Sequence, residues 1–449
     1  IKGKKTGFFH TQRIDDRWWL VTPEGHGFFG IGLSHPVTGF SKGAVTFSYN
    51  GSQEAWLRDG IKKMRELGYN CVWSGPYSTE RIRLGFVDTQ LAEHVYREEL
   101  IPHAIHVPLI KHQVELKPGE KRPDVFSREY AEFVRATVIR HVTPNQDNPW
   151  ILGYYYGFGS FMRAGLWINE TLAREPGSPG RERLISTLEE RYRDIKKLNV
   201  VYQEDYKSWN DLRQRGGITY PEGYFQYPEN KQQAADQTAL LGEIVEQVHR
   251  LGHTEIRRID ANHMVLGCYV KGVSYPPVIW NRIKHYIDVL APQHFSETNK
   301  IKPVVKATGL PALLSDQVFG NVYPESLAGN PRTPGPVPDH LDRRVLYHLL
   351  SRRLAADPDF VGVSFCACLF DNSHWFQPYD RGQPGLYTID NEPRRNTIET
   401  VKEANGFIYR SVRRPLDEQA IKSLDDDYHE TIKAYVAIAQ KRKAFLRQK

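Results

Sequence analysis

The feature that most constrains this chain is an alternation. Eight short, almost wholly apolar runs, at 28–34, 70–74, 104–109, 151–156, 264–270, 289–293, 312–315 and 361–369, are separated by stretches of helical period. Helical patterns fall at 54–67, 127–141, 234–260, 278–287, 341–355 and 397–409; in the first, Trp56, Leu57, Ile61, Met64 and Leu67 recur on one face. A strand apolar on both faces has to be covered on both faces, which a parallel sheet wrapped by helices achieves. Eight such strands predict an α/β fold of the (β/α)8 TIM-barrel type.

The remainder of the 449 residues elaborates that barrel. An aromatic-rich N-terminal β-hairpin, turning near 13–16 and again at 23–25, is expected to close the bottom. The barrel domain spans 1–415. It carries one long insertion at 160–233 after strand four, with helical RERLISTLEERYRDIKKLN followed by the Gly/Pro/Tyr-rich GGITYPEGYFQYPENK. A second insertion, NVYPESLAGNPRTPGPVPDH, follows strand seven, and residues 416–449 form a helix expected to pack on the outside. Both insertions lie on the βα-loop side, where barrels place their chemistry.

Composition narrows the function classes. Sixty Lys and Arg against 53 Asp and Glu leave a net charge of +7, which favours anionic ligands. The basic residues are spread over the wet faces of helices, as in LDRRVLYHLLSRR, so no nucleic-acid partner is expected. Aromatic residues reach 12%, enough either for sugar-stacking surfaces or for an aromatic core. Cys71, Cys268, Cys366 and Cys368 sit inside apolar runs without a CxxC pair, so neither a disulfide framework nor a metal is expected. No run is long enough to span a membrane, and no partner membrane is expected. GxGxxG, GxxxxGK[ST] and GxSxG patterns are missing, so no cofactor is expected.

In such a barrel the residues to weigh stand at the carboxyl ends of strands. These are His35, Trp73, the run Tyr154-Tyr155-Tyr156, the pair Gln293 and His294, the pair Asp316 and Gln317, and finally Asp371, His374 and Trp375. Asp316 and Asp371 are the acids of this set and the candidate catalytic groups. His35, Trp73, Tyr155, Tyr156, Gln293, His294, Gln317, His374 and Trp375 are the candidate substrate contacts.

The motifs NPWILGYYYG, ANHMVLGCYV, IDVLAPQ, KPVVKATGLPALLSDQVFGN and VGVSFCACLFDNSHWFQ, in this order, resemble the β-agarases of glycoside hydrolase family 50. The similarity runs from about Trp18 to Tyr409. It implies a retaining barrel hydrolase of β-galactosidic links, secreted or periplasmic, with an acid/base glutamate ending strand four and a nucleophilic glutamate ending strand seven. Carried over, the strand-seven position is Asp316. The family's Asp-Asn-Glu at the end of strand four becomes Gly157-Phe158-Gly159, which holds no acid.

Removing a general acid costs roughly 10²–10⁴-fold on a poor leaving group, so the donor has to come from elsewhere or the chemistry has to change. Glu170, in LWINETL beside Trp167, is one candidate; with Asp316 as base it would suit an inverting hydrolase. The plainer reading makes Asn169 or Thr171 a helix cap and Glu170 a first-turn acid. Asp371 and His374 are the other donors. Two alternatives stay open: a polysaccharide lyase built on the tyrosine run with His35, His294 and His374, and a non-catalytic carbohydrate-binding barrel using Trp73, Trp167, Trp375 and Tyr155. Arg163, Lys271 and Arg381 follow strand ends and suit a sulfate or carboxylate, so the preferred substrate is a marine-type galactan, sulfated or anhydro.

Overall fold

The computed structural model describes residues 1–33, 42–73, 88–110, 120–158, 161–271, 275–293, 301–317, 340–365, 369, 386–388, 390–393, 395–414 and 416–447. Eleven strands appear among them: β1 (His10–Ile14), β2 (Arg17–Val21), β3 (Gly27–Phe28), β4 (Gly30–Leu33), β5 (Cys71–Val72), β6 (His103–His106), β7 (Ile151–Phe158), β8 (Met264–Lys271), β9 (Pro292–Gln293), β10 (Ala312–Gln317) and β11 (Phe360–Phe365). The helices are α1 (Lys42–Ser48), α2 (Gln53–Glu66), α3 (Thr89–Glu98), α4 (Arg128–Val142), α5 (Ala164–Leu172), α6 (Pro179–Tyr192), α7 (Ile195–Tyr202), α8 (Trp209–Arg215), α9 (Lys231–Ile259), α10 (Pro277–Ile283), α11 (Lys302–Thr308), α12 (His340–Ala356), α13 (Arg395–Ser411) and α14 (Glu418–Arg447). Strands β4 to β11 close a parallel barrel in sequence order, sealed where β11 pairs with β4 from Gly362–Gly30 to Phe365–Leu33. All eight apolar runs of the sequence supply a barrel strand.

The two faces of each strand feed separate cores. Outward residues such as Ile31, Val72, Ile105 and Val363 pack under the helices. Inward residues, among them Ala104, Leu152, Leu266, Leu313 and Val361, fill the barrel. The expected hairpin is a three-stranded antiparallel sheet, β1-β2-β3. It plugs the amino-terminal end, because Phe9 and Leu20 join the interior cluster and Arg17 donates to the carbonyls of Ala355 and Phe360 at 2.9 and 3.3 Å. The bottom is therefore closed and only the carboxyl end is left for a site.

Between β7 and β8 the chain builds α5 to α8 before entering the 29-residue α9. This insertion is anchored on Asp236 of α9. Fully buried, its carboxylate accepts from Tyr192 Oη at 2.5 Å, Tyr202 Oη at 2.9 Å and Arg191 Nε at 2.8 Å. A buried carboxylate with this many donors holds the inserted helices on the barrel's own helix layer. At the other end of the chain, α14 lays Ile421 and Leu424 against Ala356 of α12.

Candidate functional site

Beneath the mouth, the β6–β8 side of the barrel holds a stack of rings. Tyr155 lies between His106, 4.8 Å away at 24°, and Tyr269, 4.7 Å away at 10°. Tyr269 Oη donates to the Trp73 carbonyl at 2.6 Å. Tyr155 and Trp73 are fully buried. The Trp73 indole folds across three glycines: a Cβ on Gly30, Gly32 or Gly362 would sit 2.4, 2.6 or 3.1 Å from it. The sequence placed both side chains against substrate. The structure corrects this, because they fill the barrel beneath the mouth.

Alternation along β7 turns the other two tyrosines outward. Tyr154 Oη donates to Asp260 Oδ2 at 2.6 Å, and Tyr156 lies against His249 of α9, ring centroids 5.7 Å apart. Tyr156 is therefore a helix-layer residue and not a substrate contact, a second correction. Burial raises both phenols well above their ordinary range, the opposite of what a tyrosinate base in a lyase needs.

The β9–β11 side is polar. Gln293, buried at the carboxyl end of β9, pairs in register with Ser315, whose Oγ donates to the carbonyls of Ala291 and Pro292 at 3.1 Å each. Asp316 follows, and Gln317 pairs with Phe365 across a register shift that begins after Leu314. The backbone of Asp316 thus stands at the carboxyl end of the seventh barrel strand, within a local irregularity of the kind that re-aims side chains beside active sites. The side chains of Asp316, Gln317 and Lys271, and the whole of His35, His294, Asp371, His374, Trp375 and Arg381, lie outside the described residues.

Glu170 is engaged. Arg122 Nη1 reaches one carboxylate oxygen at 2.8 Å, and the Arg122 backbone N–H reaches the other at 3.0 Å. The same guanidinium covers the face of Trp167, 5.2 Å from its centroid, and Trp167 is itself buried. Arg122, Trp167 and Glu170 form a strut between the β6–α4 connection and α5. The capping reading of this stretch fails too, because Asn169 and Thr171 lie in the C-terminal half of α5. Asn169 instead clamps Tyr220, donating to its carbonyl and accepting its N–H, both at 2.9 Å. Arg163, expected near an anion, donates to the Glu222 carbonyl and covers Tyr224.

At the closed end, Asp260 accepts from Tyr154 and from the backbone N–H of His263, and its Oδ2 lies 2.5 Å from His263 Nδ1. Burial alone would raise this carboxyl. The hydrogen bonds from His263 and Tyr154 prevail and hold it at about 2. This cluster braces α9 against β7 and lies away from the mouth. Among the described residues no cluster of His, Cys, Asp and Glu is arranged to hold a metal ion. Likewise none of their helices is long and apolar enough to cross a membrane.

No protein-family profile matches the chain. A curated relative, β-agarase B of Vibrio sp. (strain JT0107), is 20% identical over 91% of this chain and 49% of its own length, so the chain spans about half of that relative. Among solved structures, the agarase AgWH50C superposes with a TM-score of 0.70 at 17% identity, over 92% of this chain and 66% of its own. An exo-β-agarase superposes with 0.69 at 18% identity, with the same two coverages. In fold and in the order of its motifs, this chain resembles the β-agarases of glycoside hydrolase family 50.

Proposed function

We propose that this chain is a glycoside hydrolase acting on a galactan-type polysaccharide, with Asp316 as its catalytic carboxylate. The observation that carries the reading is the place of Asp316, at the carboxyl end of the seventh strand of a barrel whose other end is plugged. That is where the resemblance puts a catalytic carboxylate. Aspartate is one methylene shorter than the family's glutamate, which suits a base acting through water better than a nucleophile. In the inverting form, Asp316 takes a proton from water, the water oxygen bonds to the anomeric carbon, and an acid returns a proton to the departing oxygen. The two carboxyl groups would then stand about 6.5–9.5 Å apart.

The donor would come from the loops. With both oxygens of Glu170 accepting from Arg122, Asp371 is the stronger candidate. Digestion of neutral and sulfated galactans by wild type, Asp316→Asn, Asp371→Asn and Glu170→Gln tests this, scored by new reducing ends. Asp316→Asn is expected to lose release at least a hundredfold with the fold intact, and Glu170→Gln to stay within a few fold of wild type. Undiminished release by Asp316→Asn would end the assignment.

A further inference from the structure

The segment that follows α8 forms a turn whose construction exceeds what a connection needs. Phe225 adopts φ +55°, a left-handed conformation that a bulky residue rarely takes. Such conformations persist where the surroundings over-determine them. Here they do. The Phe225 N–H donates to the Met162 carbonyl at 2.9 Å. Gln237, fully buried on α9, donates to the Gln226 carbonyl at 2.9 Å, and Gln226 Oε1 accepts the Gly223 N–H at 3.1 Å. Asn169 grips Tyr220 and donates to Glu222 at 3.0 Å, while Gly165 lets Pro221 approach so closely that a Cβ would lie 2.0 Å from its carbonyl oxygen.

The turn stands at the mouth. Met162 is four residues past the end of β7, so it lies within about 14 Å of that strand's carboxyl end, and Phe225 is hydrogen-bonded to it. The neighbouring Phe161 contacts Tyr275, just beyond β8, at 6.1 Å. Three rings, Tyr224, Phe225 and Tyr227, stay partly exposed on this rigid frame, with the exposed Glu222 and Gln226 beside them. Arg163 covers one face of Tyr224, 5.7 Å from its centroid, and fixes that ring.

We infer that this turn is a sugar-stacking subsite on the β7–β8 rim, taking the C–H face of a neutral galactose-type pyranose on Phe225 and Tyr227 while Glu222 and Gln226 meet its hydroxyls. Aromatic rings held in advance supply contact area at little entropic cost, and polar groups at the edge set orientation. The inference rests on the proposed carbohydrate function but not on Asp316 as catalyst.

The test measures binding of an agarose-derived hexasaccharide by calorimetry in the Asp316→Asn background, together with KM and kcat in the otherwise native chain. Tyr227→Ala and Phe225→Gly are compared, the second of which removes a ring while relieving the strained backbone. Expected are about tenfold weaker binding and a matching rise in KM for each, with kcat held and the Tm of Phe225→Gly equal to or above the parent's. Unchanged affinity in both variants overturns the subsite, as does failure of the parent to bind the hexasaccharide. Equal losses of Tm in both variants would assign the rings to packing and overturn it as well. Variant-sensitive binding without any cleavage by the native chain would refute the hydrolase and leave the subsite standing.

Discussion

Three histidines inside the barrel layers make stability depend on pH with a sign set by their burial. His103, His106 and His249 are almost wholly buried, and loss of solvation pulls their imidazoles from 6.5 to about 4, about 3 and about 4. For His249 the geometry requires the neutral ring: Nδ1 donates to the Val245 carbonyl at 2.8 Å and Nε2 accepts the Cys268 N–H at 3.3 Å. Below pH 6.5 the unfolded chain binds protons that the fold excludes, so stability falls as pH falls. Each group contributes about 1.4 kcal/mol per pH unit, and the three together remove about 5 kcal/mol between pH 6.5 and 5. That is comparable with the whole stability of an ordinary domain, about 5–15 kcal/mol. Urea unfolding at pH 8, 6.5, 5.5 and 5 reads the slope directly. His249→Gln keeps a neutral donor and acceptor; it is expected to be less stable at pH 8, with the gap closing toward pH 5 as about one proton fewer is taken up on unfolding. A wild-type stability that stays flat from pH 6.5 to 5, or an unchanged slope in His249→Gln, would refute the reasoning.

Other perturbations follow from the same contacts. Gly30→Ala drives a Cβ to 2.4 Å from the Trp73 indole and is expected to cost about 1–3 kcal/mol, measured as a lowered Tm. Arg122→Ala strips Glu170 of both its guanidinium and the cover on Trp167, a loss of about 2 kcal/mol; in a cycle with Glu170→Gln the double variant should lose less than the sum.

The barrel was legible because strands buried on both faces leave unmistakable apolar runs, and all eight mark real strands. What escaped was parity and local termination. Tyr155 and Tyr156 look equivalent in YYYG; alternation sends them to opposite faces, and the irregularity at Leu152–Gly153, where His103 pairs with Ile151 but Ala104 with Gly153, sets which of them points inward. Trp73 resembled a platform because the glycines that receive its ring come from β4 and β11, remote in sequence. The stretch RERLISTLEERYRDIKKLN reads as one helix yet breaks into α6 and α7 at Arg193, which takes φ +60° without a glycine to announce it. Of the site, the position of Asp316 at a strand end was readable from hydrophobic pattern alone. The engagement of Glu170 was not, since its partner Arg122 lies 48 residues upstream. The turn at Phe225 was signalled only by its Gly/Pro/Tyr-rich composition, which marks a loop but not a strained one.

The glycines where the resemblance expects an acid give the last prediction. Strand β7 ends in Gly157-Phe158, with Gly157 at φ +154°, a conformation side-chain-bearing residues rarely adopt. Gly157 stands where the resemblance has the motif's aspartate, and a side chain there would be strained, while Gly159, the glutamate's counterpart, lies outside the described residues; the motif Gly157-Phe158-Gly159 holds no acid. A hydrolase so built depends either on a donor from the loops or on a leaving group that needs none. The two cases separate with a pair of β-galactosides, one with a nitrophenolate leaving group and one with a sugar alkoxide. If a loop acid such as Asp371 serves, Asp371→Asn should slow the sugar substrate about 10²–10⁴-fold and leave the nitrophenyl substrate within tenfold, because protonation matters only for the poor leaving group. If no acid serves, the native chain itself should show that disparity and Asp371→Asn should add nothing to it. Equal slowing of both substrates by Asp371→Asn would place that residue in a role other than proton donation and break the link between the missing strand acid and the loops.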